Sequence, residues 1–219
     1  MIQTPEVVDL TKPVYTNALN AKIAIDAESL ASDLWQDIEQ RTNATLKEHG
    51  VQTAHDRFSK GIIRSKIIKG TDRSLAYPLF PFGFNTIKDL FGGIEPLVDI
   101  HSHPKHPEVA HLRTTTFSDE DIDNLRNFRG NAKLMIDHGG KHLLLGNVEL
   151  DDPEQQALNY VRQALRKAGT EHQTMFDIIT EVANRLEKIG IRYYFTTMNN
   201  PDDGKIIFED VRLAKYLGV

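Results

Sequence analysis

The chain has 219 residues, 40% of them hydrophobic, which is enough for one full core with an appended element and short of two large independent domains. Its 26 Lys and Arg stand against 31 Asp and Glu, a net charge of −5, and no extended basic block is present to track a phosphate backbone, so nucleic acid is not the expected partner. Cysteine is absent, which excludes disulfides, thiolate nucleophiles and Cys-ligated metals and leaves the 9 histidines and the carboxylates as the possible ligand set.

Residues 1–12 carry Glu6 and Asp9 and lack a basic segment followed by an apolar run, and no later stretch approaches the roughly 20 apolar residues of a membrane span. A soluble, cytoplasmic protein with no membrane partner is expected; export by a route without a cleavable signal is compatible with the same sequence. Residues 13–25, with Val14-Tyr15 and the alternating Ala21-Lys22-Ile23-Ala24-Ile25, read as extended chain leading to Asp26, a helix N-cap candidate. Leu30, Leu34 and Ile38 at i+4 spacing, with Ala31 and Trp35 beside them, predict an amphipathic helix to about Leu46, with Gly50 on its far side. Ile62-Ile63 and Ile67-Ile68, with turn signals at Gly61 and over 70–72, predict two or three antiparallel strands before Pro78. The stretch 78–96 is rich in Pro, Gly and Phe and suits an irregular connection with a short helix over 86–91.

Leu97-Val98-Asp99-Ile100 reads as a buried strand running into His101, 118–128 as a short helix, and 132–136 with 142–145 as a hairpin about Gly139-Gly140. After Asp151-Asp152-Pro153, helices over about 153–167 and 171–188 precede strands over 191–197 and 205–208, paired around a turn at 199–204. The predicted class is α/β of the α+β type: a mixed β-sheet flanked by helices in residues 1–150 and a C-terminal helix-helix-hairpin extension in 151–219. Tyr193-Tyr194-Phe195 is read as a strand packed on the preceding helices, with docking of a protein partner as the other reading.

On a strand, residues i and i+2 project from one face, so His101 and His103 can offer two imidazoles to one ion if the strand continues through them; Pro104 then stops the ladder. Ser118 and Asp121 lie three apart at a helix start, where both can face the strand end. Asp121 can complete a His, His, Asp set, with water in the fourth position as catalytic zinc requires. The competing reading of Ser-x-x-Asp before Ile122 and Leu125 is a capping box. Asp99 is read as structural and on the opposite strand face. His106 and His111 read as solvated loop residues, and His49, His55, His138, His142 and His172 show no partner spacing.

An apolar strand ending in His101-Ser102-His103-Pro104, then Ser118-x-x-Asp121 opening a helix, then a hairpin, resembles the motif of the JAB/JAMM metallopeptidases, over about residues 27–148. The stretch Pro104 to Phe117 is longer than that family's usual spacer and reads as a loop insertion at the site rim. The resemblance implies a JAB/JAMM-like fold and a Zn²⁺ held by His101, His103 and Asp121, with Ser118 stabilising an oxyanion. It also implies a general base from the strand after the first helix, a place Glu48 fits better than Glu28, Glu39 or Glu95. The implied function is a zinc-dependent hydrolase of peptide or isopeptide bonds, acting on a protein or peptide substrate and deconjugating a ubiquitin-like modifier. The alternative is a catalytically silent JAB-like scaffold for protein-protein interaction. Asp-Ile-His-Ser-His also resembles the opening of amidohydrolase barrels, but too few residues follow His103 for eight strand-helix units.

Overall fold

The computed structural model describes residues 4–16, 19–72, 75, 92–105, 116–118, 121, 130–146, 159, 175–198 and 203–213. Among these residues the strands are β1 (Glu6–Val8), β2 (Lys22–Asp26), β3 (His49–Asp56), β4 (Gly61–Arg64), β5 (Ile68–Lys69), β6 (Ile94–Ser102), β7 (Ala132–Ile136), β8 (Lys141–Leu145), β9 (Arg192–Thr196) and β10 (Lys205–Asp210). The α-helices with described bounds are α1 (Trp35–Thr45), entered through a 3-10 turn over Ser32–Leu34, and α2 (Met175–Glu187). All the strands join one mixed sheet in the order β1-β2-β10-β9-β8-β7-β6-β3-β4, with β5 paired to β3. The class is α+β. No described helix is long and apolar enough to cross a membrane.

The central strands β7 and β8 are buried at every residue, and successive side chains alternate between the two faces of the sheet, which sorts the core into two layers. Leu134, Leu143 and Tyr194 pack on one face with Val98, Ile100, Trp35 and Ile38, under α1. Their chain neighbours Met135, Leu144, Tyr193 and Phe195 pack on the other with Phe117 and with Ile179, Val182 and Leu186 of α2. The hairpin expected over 132–145 is β7 and β8, paired from Ala132↔Leu145 to Ile136↔Lys141, and β3, β4 and β5 are the antiparallel strands expected before Pro78. β9 sits between β8 and β10, and β10 pairs with β2. Residues beyond 150 therefore share one sheet with those before it.

Two local expectations differ from what forms. The helix expected from Asp26 begins at Trp35: the Asp26 carboxylate accepts the N–H groups of Glu28 and Ser29 in a turn, and Ala31 stands in the left-handed region at φ 46. Leu30 is fully buried from that turn, so the i+4 pattern reports buried positions, of which the first belongs to no helix. Pro96, expected in an irregular connection, lies inside β6. The β3–β6 register shifts beside it, between Thr53 and Ala54, and a bulge is where a strand tolerates a residue without an N–H. The helix expected over 86–91 and all but a residue or two of those expected over 118–128 and 153–167 lie outside the described residues.

Candidate metal centre

The centre is assembled at the C-terminal end of β6. This strand runs parallel to β7, and parallel neighbours require a long crossover; the crossover from β6 to β7 contains Phe117, Ser118 and Asp121. His101 lies on β6 between Gly50 of β3 and Met135 of β7. The ladder persists one residue past the strand, because the His103 N–H donates to the Ile136 carbonyl at 3.0 Å. That keeps the two histidines two residues apart in extended chain and on one face. Their Nε2 atoms stand 3.2 Å apart.

Asp121, in helical backbone, spans the pair: Oδ1 is 3.0 Å from His101 Nε2 and Oδ2 is 3.0 Å from His103 Nε2. Ser118 holds that carboxylate. Its N–H and its hydroxyl both donate to Asp121 Oδ2, at 2.9 and 2.8 Å, while the Asp121 N–H donates back to Ser118 Oγ at 3.1 Å. This is the reciprocal geometry of a capping box with aspartate in place of glutamate. The capping and ligand readings of Ser-x-x-Asp thus describe one arrangement: the cap aims the carboxylate.

Glu48 reaches the same place from another direction. α1 ends at Thr45, its C-cap Leu46 stands in the left-handed region at φ 52, and the chain turns into β3. The Glu48 N–H then donates to the Thr71 carbonyl at 2.7 Å, and the Glu48 carbonyl accepts the Gly70 N–H at 2.8 Å. Because His49 pairs with Ser102, Glu48 comes level with His103, its Oε1 3.9 Å from His103 Nε2. It is 4% exposed.

No protein-family model and no curated protein matches this sequence.

Electrostatics at the centre follow from burial and these contacts. Burial pushes the Glu48 carboxyl up from its ordinary value against the pull of His101 and His103, with the Asp121 charge adding to the rise. Burial also acts on Asp121, but His101, Lys133 and His103 together hold it well below the usual carboxylate range. His103 is raised: burial opposes its charge, and Asp121, Glu48 and Asp137 outweigh that. Two nitrogens 3.2 Å apart cannot both carry a proton toward each other, so at least one presents a lone pair.

A cation satisfies both lone pairs and the carboxylate at once. The three donor groups lie within 4.8 Å of one another. Their closest separations of 3.0 to 3.2 Å fall just under the about 3.3 Å edge that bonds of about 2.0–2.1 Å give at tetrahedral angles. The group is buried and able to hold a metal ion. Two imidazoles and a carboxylate suit first-row divalent ions as a class. His103 is the more open of the pair, its side chain 16% exposed against 2% for His101, so solvent reaches the centre from its side.

Asp99 requires a correction. Expected on the opposite face, it lies on the face of the site, as a residue two before His101 in a strand must; its Oδ2 is 3.5 Å from Lys133 Nζ. Lys133, which the sequence reading passed over, is 4% exposed and sits 3.3 Å from Asp121 Oδ1. Burial opposes its charge, yet Asp99 and Asp121 raise its pKa. The available signal was a lysine within the apolar run Ala-Lys-Leu-Met-Ile. His142, read as without partners, is fully buried beside Tyr193 and Asp137. His106, His111 and His172 lie outside the described residues.

Proposed function

We propose that this chain is a zinc-dependent hydrolase of the JAB/JAMM metallopeptidase type that cleaves a peptide or isopeptide bond, its substrate a protein or peptide such as a ubiquitin-like conjugate. The observation that carries the reading is Glu48: a buried carboxylate of raised pKa, from a separate part of the chain, standing beside a His-His-Asp group and outside it. A structural zinc site closes with a fourth protein ligand. Here three donors converge among the described residues and the next carboxylate is placed to handle a proton.

When bound, the ion would supply Lewis-acid polarisation of the scissile carbonyl and acidify a water toward a pKa of about 7. His101 and His103 serve as neutral nitrogen donors, and Asp121 brings the negative charge. Glu48 takes a proton from the attacking water as its oxygen bonds to the carbonyl carbon. It returns that proton to the amine nitrogen as the C–N bond breaks, and a raised pKa serves both transfers. Ser118 donates its hydroxyl to the carbonyl oxygen as charge develops there. To do so the hydroxyl turns away from Asp121 Oδ2, and the Ser118 N–H keeps its hold on that oxygen.

Metal content and cleavage, measured together, test the proposal. Wild type, Glu48→Gln and His101→Ala are assayed for bound zinc and against a panel of peptides and ubiquitin-like isopeptide conjugates. Stoichiometric zinc is expected in wild type and Glu48→Gln and is lost in His101→Ala; cleavage is expected in wild type alone. A wild type that takes up no ion, or a Glu48→Gln that cleaves at the wild-type rate, overturns the reading.

A further inference from the structure

Behind the centre lies a polar chain that the proposed reaction does not use. Tyr193 on β9 and His142 on β8 share the α2 face of the sheet with Phe117, and all three are buried. The Tyr193 hydroxyl is 2.8 Å from His142 Nδ1 and 2.9 Å from Thr116 Oγ1. A phenol offers one donor and two acceptor sites. Donation to His142 Nδ1 with acceptance from Thr116 uses the donor and one acceptor site. His142 Nε2 then faces Asp137 Oδ2 at 3.7 Å, and Asp137 Oδ1 accepts the N–H groups of Gly139 and Gly140, each at 2.8 Å.

An Asp-His-hydroxyl order suggests a relay to substrate, but His142 is 0% exposed and Tyr193 2%, so no substrate touches it. What the chain does reach is the crossover connection of the site. Thr116 and Phe117 immediately precede Ser118, and the Phe117 ring bridges the two systems, edge-on to Tyr193 at 5.6 Å between centroids and tilted against His101 at 6.2 Å. The third ligand arrives on a connection, whereas the two histidines are held by strand pairing. A ligand on a connection needs an anchor to stay within about 0.5 Å of productive geometry.

We propose that Tyr193 is a positioning residue for the metal centre: its hydroxyl ties Thr116 to β9 and β8, its ring packs edge-on against Phe117, and together these contacts fix Ser118 and Asp121 opposite His101 and His103. The inference rests on the proposed metal-site reading. It makes a strand far along the chain part of the centre without bringing it near the reacting atoms.

The test compares Tyr193→Phe and Thr116→Val with Tyr194→Phe. Tyr194 is the neighbouring buried tyrosine; it packs on the opposite face and donates its hydroxyl to the Asn20 carbonyl at 3.0 Å. Loss of a buried hydroxyl bond lowers the melting temperature in both tyrosine variants, so melting does not discriminate. Amide hydrogen exchange at Phe117 and Ser118 in the metal-free protein does, as do zinc affinity by chelator competition and the d–d spectrum of the Co²⁺-loaded protein. Tyr193→Phe and Thr116→Val are expected to exchange faster at those amides, to bind zinc about tenfold more weakly, the lower end for residues supporting a ligand, and to show altered Co²⁺ bands. Tyr194→Phe is expected to match wild type on all three. Exchange and affinity unchanged in Tyr193→Phe and Thr116→Val overturn the inference while leaving the metal reading intact. A wild type that binds no zinc overturns the metal reading, and the exchange arm still decides the anchor. If Tyr193→Phe fails to fold, Thr116→Val, which keeps the Tyr193–His142 bond, gives the decision.

Discussion

Replacing Asp121 by alanine separates two things its carboxylate can do, hold the crossover and hold an ion. The carboxylate accepts two hydrogen bonds from Ser118 and lies 3.3 Å from the buried Lys133 ammonium. Removing one member of a buried charged pair costs about 3–5 kcal/mol. Lys133 keeps Asp99 at 3.5 Å, so the lower end, about 3 kcal/mol, applies. For a chain of this size each kcal/mol moves the midpoint by about 2–4 °C, and Asp121→Ala is expected to melt about 6–12 °C below wild type in the presence of chelator. The cost depends on pH with a definite sign. A carboxyl held well below 3.8 contributes stability that is complete above its ordinary pKa and is lost as pH falls through the depressed value, so the gap is full at neutrality and closes in strong acid. The second arm adds zinc at about 100 times its Kd, which stabilises a binding protein by about 2.7 kcal/mol. Wild type gains that increment and Asp121→Ala does not. Scanning calorimetry at neutral and acid pH, with chelator and with zinc, reads both arms. A metal-free variant melting at or above wild type at neutrality, or equal zinc stabilisation of the two proteins, refutes the argument.

Glu48→Gln is expected to lower the rate of hydrolysis by about 10²–10⁴-fold with bound zinc unchanged. Because burial raises the Glu48 pKa above 4.5, the stability tied to its protonated form is lost as pH rises through the raised value; the metal-free Gln variant should therefore melt above wild type at about pH 8, the gap closing toward about pH 4. Zinc affinity itself should fall as pH drops through the imidazole range, with proton release visible by calorimetry in buffers of different ionisation heat; affinity independent of pH would exclude ligation by His101 and His103. Gly140→Ala would put a Cβ 2.5 Å from Phe195 Cζ and 2.6 Å from the Thr196 carbonyl oxygen. Urea unfolding should show a loss of about 1–3 kcal/mol or more from this overpacking, and a stability equal to wild type would show that β9 yields there freely.

What the sequence made legible was local. The period of two that puts His101 and His103 on one face, the three-residue step from Ser118 to Asp121 and the hairpin about Gly139-Gly140 all express backbone geometry within a few residues. The α+β class follows from the same patterns. What stayed hidden depends on pairing between distant segments. Glu48 lay at a visible junction, but its burial comes from the bridge to Gly70 and Thr71 and from the register that sets His49 against Ser102. Lys133 and Tyr193 face the site because β7 and β9 happen to lie on that side of β6, and no spacing within either strand encodes it. β1, paired over Glu6–Val8 with β2, is too short to show a period. Asp99 is a different case, since the rule that aligned the histidines also gave its face and was misapplied.

The pairing of β10 with β2 has a consequence for synthesis of the chain. Ile23 and Ile25, both fully buried, gain their neighbours Phe208 and Ile206 only once synthesis has passed residue 208. The hydrogen bond from Tyr194 to Asn20 likewise spans 174 residues, or about 9–35 s at about 5–20 residues per second. Throughout that interval an apolar strand with an open edge waits on the ribosome, a hazard for premature association. Hairpins made of nearby segments, β3 with β4 and β7 with β8, form first, and closure of the sheet by β10 is the late, slow event.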